Sequence, residues 1–386
     1  MQYIPRIDTF RAFAAFSVVY YHYFGPLVPA WAKIAPHGVQ FFFVLSGFLI
    51  ATLLLREQDR GTPVGQHLAS FYIRRVFRIF PLYFAVLLAG AMIGLHGFRE
   101  SWPWTATFTT NIMICHDFGE AGYYGPAWTI AVEEQFYLVA PLVLLILPRA
   151  VAVNLAVVTV LVAIGYRMAV FSQFLPPSCL VSTFAQADHL AVGVLAAAAV
   201  HHFGVDRVER WLRSTLWFTL PCLALGFAIR MIPQWWGPVS LTLPITVGSV
   251  GAAWLIVRAV KDGPHASSWG GALLPALGSI SYAVYLIHNP MLAFTHWLEQ
   301  GVPSFWPRVL AFVLTVAVAV VSRFLLEKPM IDLGRRLARG YTKVTMPRIM
   351  AGNRITRDDQ ASSPRVMHHR RPSAANAAST GRGEQD

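Results

Sequence analysis

The chain has 386 residues, of which 55% are hydrophobic and 13% are charged, whereas charged residues make up about 25% of an average soluble protein. One water-soluble domain of this size cannot bury so many apolar side chains, so that class is excluded. The apolar segments are about 20 residues long and do not alternate, which disfavours a membrane β-barrel. The composition predicts an all-α, polytopic membrane protein.

The formal net charge of +12 is unevenly distributed. Residues 335–386 contain 11 basic and 4 acidic side chains, and we interpret this stretch as a basic cytoplasmic tail, not as a nucleic-acid-binding surface. We expect the tail to be disordered because it has few apolar residues to bury. Cys115, Cys179 and Cys222 are odd in number and widely spaced, which indicates neither a disulfide framework nor a metal site.

Ten apolar segments predict a membrane domain of ten helices over residues 1–334. The segments lie near 8–28, 37–55, 76–97, 125–147, 149–168, 184–203, 214–231, 238–257, 273–295 and 306–326. If the first helix begins at the cytoplasm, 25 basic residues fall on the cytoplasmic face and 5 on the opposite face. This bias predicts that both termini are cytoplasmic. We call the face where the first helix begins the inner face and the opposite one the outer face.

The first predicted helix contains three ionisable side chains, which are costly within a membrane and indicate a functional site. Arg11 and His22 are eleven residues apart and therefore share one helix face. Asp8 lies one turn before Arg11, where the two can form an ion pair. An anchoring role in the headgroup region is an equal alternative for Asp8 and Arg11. His22 is expected in the outer half of the membrane.

The second and third predicted helices add further polar groups. Ser46 and Gly47 lie about 12 Å inward from the outer end of their helix, and a simple packing contact is the alternative explanation for both. Arg74, Arg75 and Arg78 open the third helix near the inner face. Positive-inside topology explains part of this cluster, but three guanidinium groups on one turn can also bind phosphate oxygens.

The fourth predicted helix places two adjacent carboxylates, Glu133 and Glu134, in an apolar stretch. They are expected roughly 10–12 Å below the outer surface, which is close to the depth expected of His22. Each buried carboxylate needs a partner. Because neighbouring side chains on a helix point about 100° apart, we expect only one of the two to face His22.

Three later residues are expected at a similar level in the membrane. Asp188 opens the sixth predicted helix, and Tyr285 precedes His288 on the ninth. A satisfied core histidine is the alternative explanation for His288. The outer loop over residues 98–124 is rich in aromatic residues, Gly and Pro, and we interpret it as a structured lid.

Several segments, in this order, resemble those of the acyltransferase-3 family of integral membrane acyltransferases. They are the pair Arg11-x10-His22, FFFVLSGFLI, RRVFRIFPLY, WTIAVEEQFYL, SYAVYLIHNP and RFLLEKP, the last through Glu327 and Pro329. The resemblance covers about residues 3–330. Ala131 stands where the family often has Ser, and Ile287 where Trp is common.

The resemblance implies acyl transfer from a thioester, with acyl-CoA and in particular acetyl-CoA as donor, to a hydroxyl group. His22 is then the general base, oriented by Glu133 or Glu134. Arg11 guides the pantetheine arm or stabilises the oxyanion. The CoA phosphates bind to Arg74, Arg75 and Arg78. Substrate contacts are expected from Asp8, Ser46, Trp128, Asp188, Tyr285 and His288.

No covalent nucleophile stands out in the sequence, so direct attack on the thioester is expected, without a permanently bound cofactor or a metal ion. The family modifies lipopolysaccharides, exopolysaccharides and some secondary metabolites, which implies a cell-surface, exported or lipid-linked glycan as acceptor, or a small molecule. Membrane lipids are the other expected partners, and a bacterial inner membrane is the expected location. A transporter with the same buried polar groups and a non-catalytic scaffold are the rival hypotheses.

Overall fold

The computed structural model describes residues 3–28, 36–61, 63–231, 237–264, 271–299 and 304–341, and within these ranges it contains helices and no strand. The α-helices are α1 Pro5–Phe24, α2 Pro36–Asp59, α3 Val64–Met92, α4 Phe98–Ala106, α5 Thr110–His116, α6 Ala127–Ile146, α7 Arg149–Phe171, α8 Thr183–Phe203, α9 Val205–Met231, α10 Pro238–Asp262, α11 Leu273–Ser279, α12 Ser281–Glu299 and α13 Phe305–Ser322.

The prediction of an all-α, multi-pass membrane protein is confirmed. Ten of the described helices contain 18 residues or more. Seven of these are long and apolar enough to cross a membrane, namely α2, α3, α6, α7, α8, α10 and α13. The other three, α1, α9 and α12, correspond to predicted spans with more polar or charged residues.

Several helix ends differ from the predicted segments. α1 ends at Phe24 because Gly25 and Pro26 continue it as a 3-10 turn. α3 begins at Val64, twelve residues before the predicted start at 76, because its polar first turns are helical as well. The predicted ninth span is two helices, α11 and α12, with a break at Ile280.

Helices α2 and α8 pack closely against each other at two glycines. A Cβ atom on Gly47 would overlap the Leu190 carbonyl group, and one on Gly193 would overlap the Val44 carbonyl oxygen. Glycine at both positions therefore allows the two backbones to touch. This packing fixes the position of Ser46, the residue before Gly47, relative to α8.

Ion pairs join helix ends at both faces, in agreement with helices that alternate in direction. At the inner face Arg6 pairs with Asp262, and Lys261 Nζ lies 3.1 Å from Glu209 Oε2. At the outer face Arg308 Nε lies 2.5 Å from Glu299 Oε1.

The outer loop and the first residues of the predicted tail contain helices. The predicted lid contains α4, α5 and a 3-10 turn at Gly122–Tyr124, so its structured character is confirmed. After α13 a π turn at Arg323–Glu327 leads into a helix that continues to Tyr341. Residues 335–341 are therefore helical, unlike the disordered tail expected there, because Leu, Ala and Arg favour helix. The rest of the predicted tail, 342–386, lies outside the described residues.

Candidate active site

α1 carries polar groups to two levels of the membrane domain. Arg11 Nη1 lies 3.5 Å from Asp8 Oδ1, which is the ion pair predicted from their spacing. Arg11 lines a cavity nearer the inner face, and His22 lines a second cavity nearer the outer face. Along the helix the two residues are about 16 Å apart. We call these spaces the inner cavity and the outer cavity.

The inner cavity has a volume of about 100 Å³ and contains a compact polar cluster. Glu133 Oε1 accepts a hydrogen bond of 2.5 Å from the Ser46 hydroxyl. Ser46 Oγ in turn accepts one of 3.2 Å from the Tyr137 hydroxyl. Ser46 and Glu133 thus belong to one site, although they come from α2 and α6.

The three arginines of α3 occupy two environments. Arg75 and Arg78 line the inner cavity, where both interact electrostatically with Glu133. The Arg75 guanidinium carbon lies 4.5 Å from the centroid of the Tyr137 ring, a cation–π contact. Arg74 does not line that cavity and interacts with Glu57 instead. Of the three arginines predicted to bind phosphate, Arg75 and Arg78 line the inner cavity and Arg74 does not.

Glu327, in the closing segment of the family resemblance, joins the same cluster from the C-terminal side. It is 5% exposed and lies in the π turn after α13. Arg323 Nη1 is 3.8 Å from Glu327 Oε2, and Glu327 also interacts electrostatically with Arg78 and Arg11. The inner cavity is thus surrounded by charges of both signs.

The outer cavity is larger, about 500 Å³, and its wall is aromatic and amide-rich. His22 shares it with Trp128, Gln40, Gln186 and Asn289. Side chains of these types recognise neutral, hydroxyl-rich molecules, because a ring gives an apolar platform and amides both donate and accept hydrogen bonds.

The roof of the outer cavity comes from the outer loop and the first turns of α6 and α8. Gly122 and Gly125 line the cavity, and the Asn289 amide donates a hydrogen bond of 2.9 Å to the Tyr123 carbonyl oxygen. Burial raises the pKa of the neighbouring Tyr124 to about 12, so its phenol stays neutral near pH 7.

Tyr285 and Val39 line both cavities and form the boundary between them. The Tyr285 hydroxyl accepts a hydrogen bond of 2.8 Å from Thr129 and donates one of 3.3 Å to the Pro126 carbonyl oxygen. These contacts hold the ring across the space between α12 and α6. A group that moved directly from one cavity to the other would pass between these side chains.

His288 lies beside His22 and not in the cavity wall. It is fully buried, and its ring centroid is 5.1 Å from that of His22. His288 Nδ1 lies 2.5 Å from the Tyr285 carbonyl oxygen.

The expected pair between His22 and Glu133 is not formed. Among the described residues, no hydrogen bond or ion pair connects His22 to either carboxylate of α6. α1 ends at Phe24, so His22 lies about 3 Å from the outer end of its helix, whereas Glu133 lies about 9 Å from Ala127. The expected equality of depth was therefore wrong.

Glu134, unlike Glu133, does not line the inner cavity. It interacts electrostatically with Arg75, Tyr83 and Tyr282, and its Oε1 atom is buried without a hydrogen-bond partner among the described residues. The expectation that the two carboxylates face different directions agrees with this arrangement.

Asp188 lies in a separate buried network and does not line either cavity. Arg167 donates hydrogen bonds of 2.8 and 2.6 Å to its two carboxylate oxygens, and the Thr246 hydroxyl donates one of 2.9 Å. Arg167 is one of the five basic residues counted on the outer face, because an arginine at the edge of an apolar segment usually lies in the headgroups. The spacing of Arg167 and Asp188 gives no sign of their contact.

The cysteine prediction is corrected by a disulfide between Cys115 and Cys179. Sixty-four residues separate the two in sequence, and they meet because α5 and the 3-10 turn Pro177–Val181 pack together in the outer loops. Ile114, next to Cys115, lines the outer cavity. Gln186 of the same cavity donates a hydrogen bond of 2.7 Å to the Leu180 carbonyl oxygen. The disulfide therefore braces one wall of the outer cavity.

Comparison with known proteins gives a family match over most of the chain. The model of an acyltransferase domain, that of the acyltransferase-3 family, matches residues 4–324. The chain is 28% identical over 372 residues to "Putative peptidoglycan O-acetyltransferase YrhL" of Bacillus subtilis, with 87% of this chain and 56% of the relative covered.

A second relative is the peptidoglycan O-acetyltransferase OatA of Listeria monocytogenes, which is 27% identical over 365 residues. That match covers 85% of this chain and 56% of the relative. The chain thus spans little more than half the length of these two proteins. No solved structure gives a significant match.

Proposed function

The chain belongs to the acyltransferase-3 family, and from this premise we propose that it is a membrane O-acyltransferase that transfers an acetyl group from acetyl-CoA to a hydroxyl group of a cell-surface glycan. The names of the two relatives support the acetyl group and the glycan, since both are called peptidoglycan O-acetyltransferases. Peptidoglycan oligosaccharides are therefore the first acceptor to test, before lipid-linked glycans and small molecules.

One observation carries this proposal: two polar cavities lie one above the other and share the Val39–Tyr285 boundary. The inner cavity is lined by arginines and the outer cavity by a histidine. A reaction between a charged donor and a neutral, hydroxyl-rich acceptor needs two such cavities of different polarity. A non-catalytic scaffold does not need them.

The inner cavity suits the phosphate end of the donor. Arg75 and Arg78 can each donate charge-assisted hydrogen bonds to phosphate oxygens, which are the strongest that side chains make. Arg11 also lines the inner cavity. It lies on the same face of α1 as His22, nearer the inner end of the helix. The distance of about 16 Å between Arg11 and His22 is one that an extended pantetheine arm can span, which brings the thioester to the outer cavity.

His22 supplies the base. The acceptor oxygen attacks the thioester carbonyl carbon while its proton passes to a ring nitrogen of His22. The carbon–sulfur bond then breaks, the acetyl group stays on the acceptor oxygen, and the CoA sulfur takes the proton from His22. The neutral imidazole accepts the first proton and the imidazolium donates the second, and histidine can change between these two forms near pH 7. The transporter hypothesis is not favoured by any observation of this structure.

Purified full-length protein in lipid nanodiscs tests the proposal. Acetyl-CoA and peptidoglycan oligosaccharides are supplied, CoA release is followed with a thiol reagent, and acetylated product is identified by mass spectrometry. The proposal predicts CoA release that depends on the acceptor and an acetyl ester on it. Absence of an ester on peptidoglycan, lipid-linked and small-molecule acceptors alike would contradict the function.

A further inference from the structure

We infer that His288 is the positioning residue for His22, and that the two histidines act as a dyad in place of the expected histidine–carboxylate pair. This inference rests on the proposed function, since it concerns how the proposed base is oriented. It is carried by the geometry around His288, a buried side chain for which the mechanism above has no other use.

The hydrogen bonds of His288 determine its tautomer. Nδ1 lies 2.5 Å from the Tyr285 carbonyl oxygen, and a carbonyl oxygen can only accept a hydrogen bond. Nδ1 therefore carries the proton, and Nε2 presents a lone pair. Nε2 is buried and has no hydrogen-bond partner within the part of the chain that the structure describes. A buried acceptor without a donor is costly, by about 1–3 kcal/mol.

His22 is the donor that can reach this lone pair. The two ring centroids are 5.1 Å apart with an interplanar angle of 63°. His288 is 0% exposed, whereas His22 is only half-buried and borders open space in the outer cavity. A small rotation of the His22 ring, which has room to move, brings one of its N–H groups onto His288 Nε2.

The surroundings keep His288 in place. The Tyr23 hydroxyl donates a hydrogen bond of 2.6 Å to the His288 carbonyl oxygen and lies 2.7 Å from the Thr315 hydroxyl. The Tyr23 carbonyl oxygen accepts one of 2.6 Å from Arg308, which is paired with Glu299. Such second contacts are what make a positioning residue effective.

The dyad assigns a role to each nitrogen of His22. One N–H donates to His288 Nε2, so the other nitrogen is left unprotonated and faces the outer cavity as the base. After proton transfer from the acceptor, the imidazolium of His22 keeps its hydrogen bond to a neutral partner. His288 gains and loses no proton in this cycle, and the CoA sulfur receives the proton that His22 took.

Two substitutions of His288 separate orientation from packing. The amide of His288→Asn can replace the Nδ1–H donor to the Tyr285 carbonyl oxygen but leaves no acceptor at the Nε2 position. The longer amide of His288→Gln can place an oxygen there. We expect the Gln variant to retain at least tenfold higher kcat than the Asn variant, with similar KM for acetyl-CoA, because a general base contributes about 10²–10⁴-fold and the Asn variant loses part of this through poor orientation of His22.

The same two substitutions at His189 are the matched control. His189 is also fully buried and is held through Nδ1 by Ser249, but it lines neither cavity. Its Gln and Asn variants should have similar kcat per folded molecule. Equal kcat for folded His288→Gln and His288→Asn would overturn the inference, while an inactive wild type would instead overturn the proposed function.

A measurement on protein with native His288 covers the case in which both variants fail to fold. Solid-state NMR of protein labelled with ¹⁵N-histidine should show one histidine protonated at Nδ1 whose bare Nε2 resonance moves in the His22→Ala variant. If no such resonance changes, His22 does not donate to His288 and the dyad is refuted.

Discussion

At the scale of single residues, neighbours in sequence can belong to different parts of the molecule. Arg75 and Arg78 line the inner cavity, whereas Arg74 interacts with Glu57. We predict that Arg75→Gln and Arg78→Gln each weaken acetyl-CoA binding about 10- to 100-fold, since a charge-assisted hydrogen bond contributes roughly 1.5–3 kcal/mol. Calorimetry on the purified variants measures this.

Arg74→Gln is the matched control, because it removes the same charge from the same helix and the same membrane face. Its acetyl-CoA affinity should stay near that of wild type. If all three variants lose affinity equally, the effect comes from the general positive potential of α3 and not from the cavity.

Substitution of the two glutamates of α6 should change the thermal stability of the protein to different extents. Glu133 compensates arginines in the inner cavity and accepts from Ser46, so Glu133→Gln should lower thermal stability and disturb donor binding. Removing one partner of a buried charge pair costs about 3–5 kcal/mol. Glu134→Gln should be neutral or stabilising, since the Oε1 atom of Glu134 is buried without a hydrogen-bond partner among the described residues. The melting temperatures of the two variants in detergent measure this difference. A larger decrease in melting temperature for Glu134→Gln than for Glu133→Gln would show that Glu133 is not the partner of the cavity arginines.

The site was only partly predictable at this scale. Arg11, His22, Ser46, Glu133 and His288 could be selected because each is a polar group in an apolar stretch, and such groups are rarely there without a function. Their pairing could not be predicted, because it depends on differences of a few ångströms in depth. The end of α1 at Phe24 was enough to separate His22 from Glu133.

At the level of helices, the number and order of the long helices could be predicted from the apolar segments of the sequence. The ten predicted spans correspond to the ten long helices, with errors of up to twelve residues at the ends. These errors arose where polar turns continue a helix beyond the apolar core, as at the start of α3. Contacts between distant loops, such as that of Cys115 with Cys179, leave no trace in local sequence.

The packing of α2 on α8 gives a prediction at this scale. Gly47→Ala should lower the melting temperature, because its Cβ atom would overlap the Leu190 carbonyl group, and overpacking costs about 1–3 kcal/mol. Gly165→Ala in α7 is the control, since a Cβ atom there meets no described atom within 4 Å. A Gly47→Ala protein as stable as the control would show that the two backbones are not in contact.

The disulfide joins α5 to the 3-10 turn that precedes α8, and its removal gives a second prediction. Replacing Cys115 and Cys179 with Ser should lower the free energy of unfolding by about 2–4 kcal/mol. Acceptor turnover should fall more than donor binding, because the disulfide lies beside the outer cavity and not beside the inner one. Cys222→Ser is the control, as this cysteine forms no disulfide in the described structure. Equal losses in donor and acceptor binding would show that the disulfide supports both cavities equally.

At the scale of the whole molecule, the arrangement of charges and of the disulfide supports one orientation. Basic residues concentrate on the inner face, which is typical of the cytoplasmic side. Cys115 and Cys179 lie at the outer face, and disulfides persist in oxidising compartments outside the bacterial cytoplasm. Both arguments support a cytoplasmic position for the arginines of the inner cavity, where the proposed donor would be supplied, and a position of His22 toward the cell surface.

Sealed vesicles can show whether the protein transfers an acetyl group from one side of the membrane to the other. Protein is reconstituted, and radiolabelled acetyl-CoA is supplied at one face while peptidoglycan oligosaccharides are present only at the other. We expect labelled acetyl esters only when acetyl-CoA is at the inner face and the acceptor at the outer face, and none with His22→Ala. Equal labelling with the two substrates exchanged, or labelling by His22→Ala at the wild-type rate, would contradict this expectation.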